Sequence, residues 1–330
     1  NVCEMTGRWP GQLRHLLYGQ MPKEGAKEAG QHRPICLLPM LYRLWTRLAT
    51  SQVRDYRKSC RDAGQRPVGS GALDEALQLA DWAEDQATHH APHSAIFLDC
   101  SKCYERVPLQ ALYEAGKRWN WPDAPLRLAL DMYAGSRRVM VEGALSRSLR
   151  ATAGIPAGCG LAVDLLHCYL NDALAAAGLE PAAYRKYVDD IVLTEQGEEH
   201  AQRLAERFLV AKQALEASGM KLNLQKTVAI CGGERARKEL KQAWKGQTDL
   251  PRLAITTRDL GVACSWTARR TGVQHGRRWT NGATPMRLSL LPLDKRGKAY
   301  VIKLLQPKAL YGAAVGGISK SNLQHQGGRS

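Results

Sequence analysis

The spacing of apolar positions changes along the chain, and each change marks the border of an element. Over 37–54 the apolar residues Leu37, Leu38, Leu41, Leu44, Trp45 and Leu48 keep the 3.6-residue period of a helix with one buried face, with Arg43, Arg47 and Arg54 among them. A stretch with Gly and Pro at 65–71 predicts a loop, and helical spacing resumes over 73–84. Residues 89–93 read as a connection. The unbroken apolar run 95–98 then predicts a short buried strand that ends at Asp99.

Residues 109–134, rich in Leu and Ala, read as helix interrupted by Pro122 and Pro125, and 137–141 predict a strand entering a turn at Gly143. A Gly/Pro loop at 154–160 feeds a helix over 161–177. Two short apolar segments, 184–188 and 191–194, flank Asp189 and Asp190, the pattern of a tight hairpin with acids at its tip. An amphipathic helix at 198–218, a break at Gly219 and a strand at 227–231 follow. Beyond 232 the chain is basic and less regular, with helices expected at 234–245 and 294–305. The sequence has no internal repeat and no low-complexity block.

Charge narrows the partner. Against 31 Asp and Glu stand 47 Lys and Arg, a net +16 that draws a polyanion by counterion release and steering. Nucleic acid is the leading partner, although a ribosome-associated basic protein has the same balance. The 330 residues suffice for one large core or two to three modest ones. Nine scattered cysteines lack the dense spacing of a secreted disulfide scaffold, so a reducing interior is expected. Cys100 and Cys103 form a CxxC with no second pair at zinc-finger spacing. No uncharged apolar run reaches the roughly 18 residues of a membrane span, and the first residues are no signal peptide. The chain reads as soluble and intracellular. Asn1 at the start and the Gly/Ser/Arg tail read as a piece of a longer product.

Three carboxylates carry the candidate chemistry: Asp99 at a strand end, Asp189 and Asp190 at a hairpin tip. If those strands pair, the acids converge at one sheet edge. Clustered carboxylates are hard oxygen ligands for Mg²⁺, and two such ions about 3.5–4 Å apart activate a hydroxyl and stabilise a leaving pyrophosphate. An isolated Asp-Asp is ordinarily a solvated turn. The surrounding residues therefore decide.

Tyr187-Val188-Asp189-Asp190 resembles the signature of the reverse transcriptase palm, and the segment from Phe97 through Asp99, Tyr104 and Val107 resembles that family's first metal-binding motif. Gly154-Ile155-Pro156-Ala157-Gly158-Cys159, followed by a helix, resembles the loop and helix beneath the templating base pair. Upstream, Met21-Pro22-Lys23 and Arg33-Pro34-Ile35-Cys36-Leu37-Leu38-Pro39 resemble the fingers of non-LTR retrotransposon and group II intron enzymes, with 65–71 as the loop that follows. Downstream, Gly219-Met220-Lys221-Leu222-Asn223-Leu224-Gln225-Lys226-Thr227 and Arg258-Asp259-Leu260-Gly261-Val262 resemble the last palm motifs. The resemblance spans about residues 16–265 and keeps the family's order.

That resemblance implies an α+β right-hand fold: fingers over 1–94, a palm of antiparallel sheet backed by helices over 95–265, and a partial thumb over 266–330. Segments within 109–150 would return to the fingers. In the thumb, His275, Arg277 and Arg278 stand either on backbone phosphates or on a solvated face. The implied activity is RNA-directed DNA synthesis: deoxynucleoside triphosphates, an RNA template, a DNA primer, and two Mg²⁺ with Mn²⁺ as a substitute. No membrane is involved, and a nuclear site follows if the element is eukaryotic.

By the same resemblance Asp99 and Asp189 bind both metals, with Asp190 in support. Tyr104 lies against the sugar and excludes a 2′-hydroxyl. Lys23 and Arg33 neutralise the triphosphate, Ala157 and Gly158 lie along the nucleotide, and Lys226 donates a proton to the leaving pyrophosphate. Leu260 and Gly261 press on the primer end. The chain departs from the family at Ala157, where many relatives carry Gln, and in the following helix, which lacks the usual small-polar and Pro pair and carries Asp164. A viral RNA-dependent RNA polymerase would place an acid where Tyr104 stands and open its hairpin with Gly. A maturase-like RNA-binding protein would use the same fold without needing the acids, and an unrelated nucleic-acid-binding module leaves the ordered motifs unexplained.

Overall fold

The computed structural model describes residues 2–22, 32–62 and 71–266. Lys23, nearly all of the 65–71 loop, His275, Arg277, Arg278 and the helix expected at 294–305 lie outside the described residues, as does the thumb from 267 onward.

The chain runs α1 (Val2–Thr6), β1 (His15–Pro22), β2 (His32–Leu37), α2 (Met40–Ala49), α3 (Arg54–Asp62), α4 (Ala72–Thr88) and β3 (His93–Leu98). It continues through α5 (Cys103–Arg106), α6 (Leu109–Arg118), α7 (Asp123–Tyr133), β4 (Ser136–Val141), β5 (Ala144–Leu145), β6 (Leu149–Arg150) and α8 (Ala162–Ala176). The last elements are β7 (Tyr184–Tyr187), β8 (Asp190–Gln196), α9 (His200–Ala217), β9 (Val228–Cys231), α10 (Gly233–Ala243), β10 (Arg252–Leu253), β11 (Thr257–Asp259) and β12 (Val262–Cys264).

These elements gather into two compact units that alternate along the chain. Among the described residues the first draws on 2–22, 32–62, 98–191 and 207–223, the second on 71–97, 192–206 and 224–266. In the first, β1 pairs antiparallel with β2 (Leu17 opposite Leu37, Met21 opposite Arg33) and parallel with β4, which also pairs with β5 and β6. Its helical core is Leu112, Leu126, Leu128, Met132, Tyr133 and Leu165, all fully buried. Burying side chains of this size stabilises by about 1.5–3 kcal/mol each before the entropy of ordering is subtracted.

In the second unit β3 pairs antiparallel with β9, Phe97 opposite Val228, and β10 lies parallel to β9. The core there is Leu79, Ala95, Phe97, Val192, Val228 and Ile230, with Trp82 and Trp266 packed against it. All six residues of β3 are buried, which explains an apolar run without alternation. This sheet, five-stranded like the first, has the order β10-β9-β3-β8-β7, and β3 and β8 are the strands on which the chain passes from one unit to the other.

The helix expected over 37–54 is corrected in two respects. Leu37 remains in β2, and α2 begins only after Pro39, whose fixed φ of −53° sets the turn into the helix. The buried face is also the opposite one: Tyr42, Thr46 and Ala49 are inside, whereas Met40, Leu41, Leu44 and Leu48 are exposed. Thr46 lies so close to Gly160 that a Cβ there would meet its Oγ1 at 2.9 Å, and Tyr42 touches the Cys159 thiol at 3.2 Å. Leucine spacing identified a helix but not its inner side, because close approach of the 154–160 loop favours a hydroxyl and a small group over a leucine.

Candidate active site

Asp99 follows β3 directly and is held by its backbone. Its carbonyl accepts from the Asn223 N–H at 2.8 Å, the Ser101 N–H donates to the Lys221 carbonyl at 2.8 Å, and Cys100 bridges to Leu222. The nearby thiols of Cys100 and Cys103 are buried, with Cys103 against the Met220 sulfur at 3.6 Å.

The other two acids sit on the hairpin that the spacing predicts. β7 and β8 are joined by the two-residue turn Val188-Asp189, and Asp190 opens β8. Val188 has φ +58°, a left-handed backbone that a β-branched side chain adopts only under strain. That turn lifts Asp189 to the tip.

The three carboxylates share one electrostatic field. Asp189 is pushed above the usual carboxylate range by burial first and then by the charges of Asp99 and Glu105, while its own backbone N–H pulls it back. Asp190 is pushed up to about 6 by desolvation, Asp189 and Asp99 in that order. Among the described residues no three His, Cys, Asp or Glu side chains already close around a point fit for a metal ion. The donor set still fits a hard divalent cation, because it offers carboxylate oxygens in mutual repulsion that such a charge relieves.

Tyr104 on α5 is half-buried beside this cluster. Burial, then the charges of Asp189, Cys103 and Asp164, hold its phenol above the usual range and hence neutral. Its carbonyl accepts from the Ile155 N–H at 2.8 Å, and the Gly154 N–H donates to Val107 at 2.8 Å, so the 154–160 loop is tied to α5. Further along that loop Ala157 and Gly158 are exposed. Gly158 has φ +106°, and a Cβ there would stand 3.3 Å from the Cys36 carbonyl, so glycine is required by conformation as well as space. Arg33 is exposed on β2 opposite Met21.

The remaining candidates belong to the second unit. Lys226 is exposed on the turn before β9. Leu260 and Gly261 form a two-residue turn between β11 and β12 with φ of +46° and +84°, both left-handed as in a type I′ hairpin.

The family model described as "Reverse transcriptase (RNA-dependent DNA polymerase)" matches residues 21–267. The chain belongs to the reverse transcriptase family. A curated relative from Drosophila melanogaster, "Probable RNA-directed DNA polymerase from transposon BS", is 26% identical over 234 residues, covering 67% of this chain and 26% of that protein. Among solved structures, apo telomerase from Candida tropicalis aligns over 93% of the chain and 58% of its own with a TM-score of 0.54 at 11% identity. A form truncated from the C-terminal domain aligns over 77% and 54% with a TM-score of 0.51 at 15% identity. The fold is thus the α+β right hand shared by reverse transcriptases and telomerase. The chain spans about a quarter of the length of the curated relative and over half of the telomerase chains.

Three residues of this reverse transcriptase domain escaped the sequence reading. Glu105 adds a fourth negative charge beside Asp189. Asp164, visible only as a departure from the family, is buried on α8 and paired with Arg57 of α3. Lys186 is buried on β7, donating to the His167 carbonyl at 3.0 Å and to Asn171 Oδ1. Burial pulls its amine down to about 7, against the opposing charges of Cys168, Cys60 and Cys103. Strand alternation carried a signal for it, since Tyr184 and Lys186 share a face and Tyr184 is apolar enough to be inside.

Proposed function

We propose that this domain extends a DNA primer along an RNA template by two-metal phosphoryl transfer, as the polymerase core of a transposon-type element. The reading rests above all on the like-charge coupling of Asp99, Asp189 and Asp190 beside the neutral ring of Tyr104. Asp99 and Asp189 hold the ions and Asp190 supports them. Two Mg²⁺ held there, or Mn²⁺ in their place, would lower the pKa of the primer hydroxyl and stabilise the negative charge that develops on the leaving pyrophosphate.

The protein's own groups do the rest. Arg33 and Lys23 orient the triphosphate through charge-assisted hydrogen bonds. Tyr104 fills the space beneath the sugar, so a deoxynucleotide fits and a ribonucleotide does not. Gly158 lets backbone come close to the nucleotide, beside a small Ala157. Lys226 gives a proton to the departing pyrophosphate oxygen, and the Leu260–Gly261 turn supports the primer end. The net charge of +16 supplies attraction to template and primer, in the interior of a cell and in the nucleus if the host is eukaryotic. No helix among the described residues is long and apolar enough to cross a membrane.

Primer extension on an RNA template decides the matter. Wild-type protein with Mg²⁺ should synthesise DNA, and Asp189→Asn should bind the template-primer normally while synthesis falls by about 10³-fold or more. Equal synthesis by the variant would reject the assignment of the acids. Template binding without synthesis by the wild type would favour the maturase-like use of this fold.

A further inference from the structure

We propose that Lys186 is a positioning residue for polymerisation: its buried amine locks the acid-bearing hairpin onto α8, fixing Asp189 and Asp190 relative to the loop that opens that helix. The inference rests on the reading of those acids as metal-holding groups.

The geometry is specific. Lys186 stands three residues before Asp189, and its acceptors, the His167 carbonyl and Asn171 Oδ1, lie one turn apart on the same face of α8. Tyr184, on the same face of β7, reaches Asn171 Oδ1 as well at 3.4 Å. Asn171 is itself oriented by a 3.2 Å contact between its Nδ2 and His167 Nδ1. β7 is therefore held to one helix by two side chains through directional bonds, which set register in a way that apolar area does not.

Stability alone gives no reason for an amine at this position. A methionine fills nearly the same volume without the cost of desolvating an ammonium, and apolar replacements of buried charges are often neutral or favourable. What a methionine lacks is the pair of bonds to α8. The groups facing the amine are Cys60 from α3, Cys103 from α5, and Cys168, His167 and Asn171 from α8. None is a carboxylate, so the amine is held by dipoles. The helix it grips is also held one turn earlier, through Asp164 and Arg57, and it follows directly on the 154–160 loop. A hairpin joined to that helix cannot shift without moving the loop.

The test uses the full chain with Lys186→Met, Asn171→Leu and the double substitution. Primer extension with Mg²⁺ should show kcat reduced about 10- to 100-fold, as for a misplacement near 1 Å, with KM for the deoxynucleotide within about twofold of wild type. Hydrogen exchange of the peptide covering 184–193 should be faster, and the melting temperature of Lys186→Met equal or higher. The double variant should be no worse than the more damaged single one. An unchanged kcat, additive losses in the double variant, or a kcat that falls only in step with melting temperature overturns the proposal. Should Lys186→Met not fold, Asn171→Leu alone supports or overturns the lock by the same kcat and exchange measurements. Wild-type protein that extends no primer overturns the polymerase reading instead, and unchanged exchange in the 184–193 peptide would then overturn the lock.

Discussion

Arg57 grips Asp164 through two parallel hydrogen bonds of 2.7 Å, Nε to Oδ1 and one terminal nitrogen to Oδ2. The two partners are buried unequally, with 1% of the Asp164 side chain exposed against 27% of Arg57. Removing Arg57 strands a carboxylate in the interior, whereas removing Asp164 leaves a guanidinium that can reach water. Arg57→Met should therefore cost about 3–5 kcal/mol, Asp164→Leu clearly less, and the two together little. Urea denaturation of the three variants measures this; equal costs for both single changes would contradict the asymmetry.

Tyr104 is the second test, because its ring and not its hydroxyl is asked to act. Tyr104→Phe should keep discrimination against ribonucleotides, and Tyr104→Ala should raise ribonucleotide use relative to deoxynucleotide by about 10- to 200-fold in kcat/KM. Steady-state incorporation opposite one template base reads the ratio. A ratio unchanged in Tyr104→Ala would take the residue out of sugar selection.

The strands that carry the candidate acids were legible because their signals are local. An apolar run stopping at Asp99 and a pair of apolar segments around Asp189 and Asp190 describe strand ends that tolerate few alternatives, and β3, β7 and β8 lie within a residue or two of the expected borders. The sheet made by β1 and β2 was invisible, since β1 is only half-buried and lacks a clean alternation. The inward face of α2 was misread because its selection depends on Gly160 and Cys159, more than a hundred residues away. The partners of Asp164 and Lys186 were illegible for a related reason. A charged residue in a sequence is read as solvated until its partner is known, and Arg57 and Asn171 become partners only in three dimensions.

Val188 at φ +58° carries a local cost that asparagine avoids, since its short polar side chain tolerates the left-handed region. Val188→Asn should release about 1 kcal/mol and raise the melting temperature by about 2–4 °C. Thermal unfolding followed by circular dichroism suffices to check it. A lower melting temperature would show that packing of the valine methyls outweighs the backbone strain.

The buried amine of Lys186 makes a last prediction about pH. An ordinary lysine loses its proton near 10.5, but this one does so at about 7 in the folded protein. Between those values the unfolded chain binds a proton that the folded chain does not, so stability must rise with pH across the window. Below 7 both states are protonated and the penalty is full and constant. The neighbouring thiols and phenols act oppositely, because burial raises them in the fold, and they take over once unfolded cysteines ionise near 8.5. The histidines with lowered values, His93 and His200, have finished contributing by about 6.5. From pH 7 to 8.5 the wild type should thus gain up to about 1.4 kcal/mol per pH unit in chemical denaturation, and Lys186→Met should gain almost nothing. A wild-type slope of the opposite sign would mean that the fold holds this proton more tightly than the unfolded chain does, which requires an anion at the amine, whose hydrogen-bond acceptors among the described residues are the His167 carbonyl and the Asn171 amide oxygen.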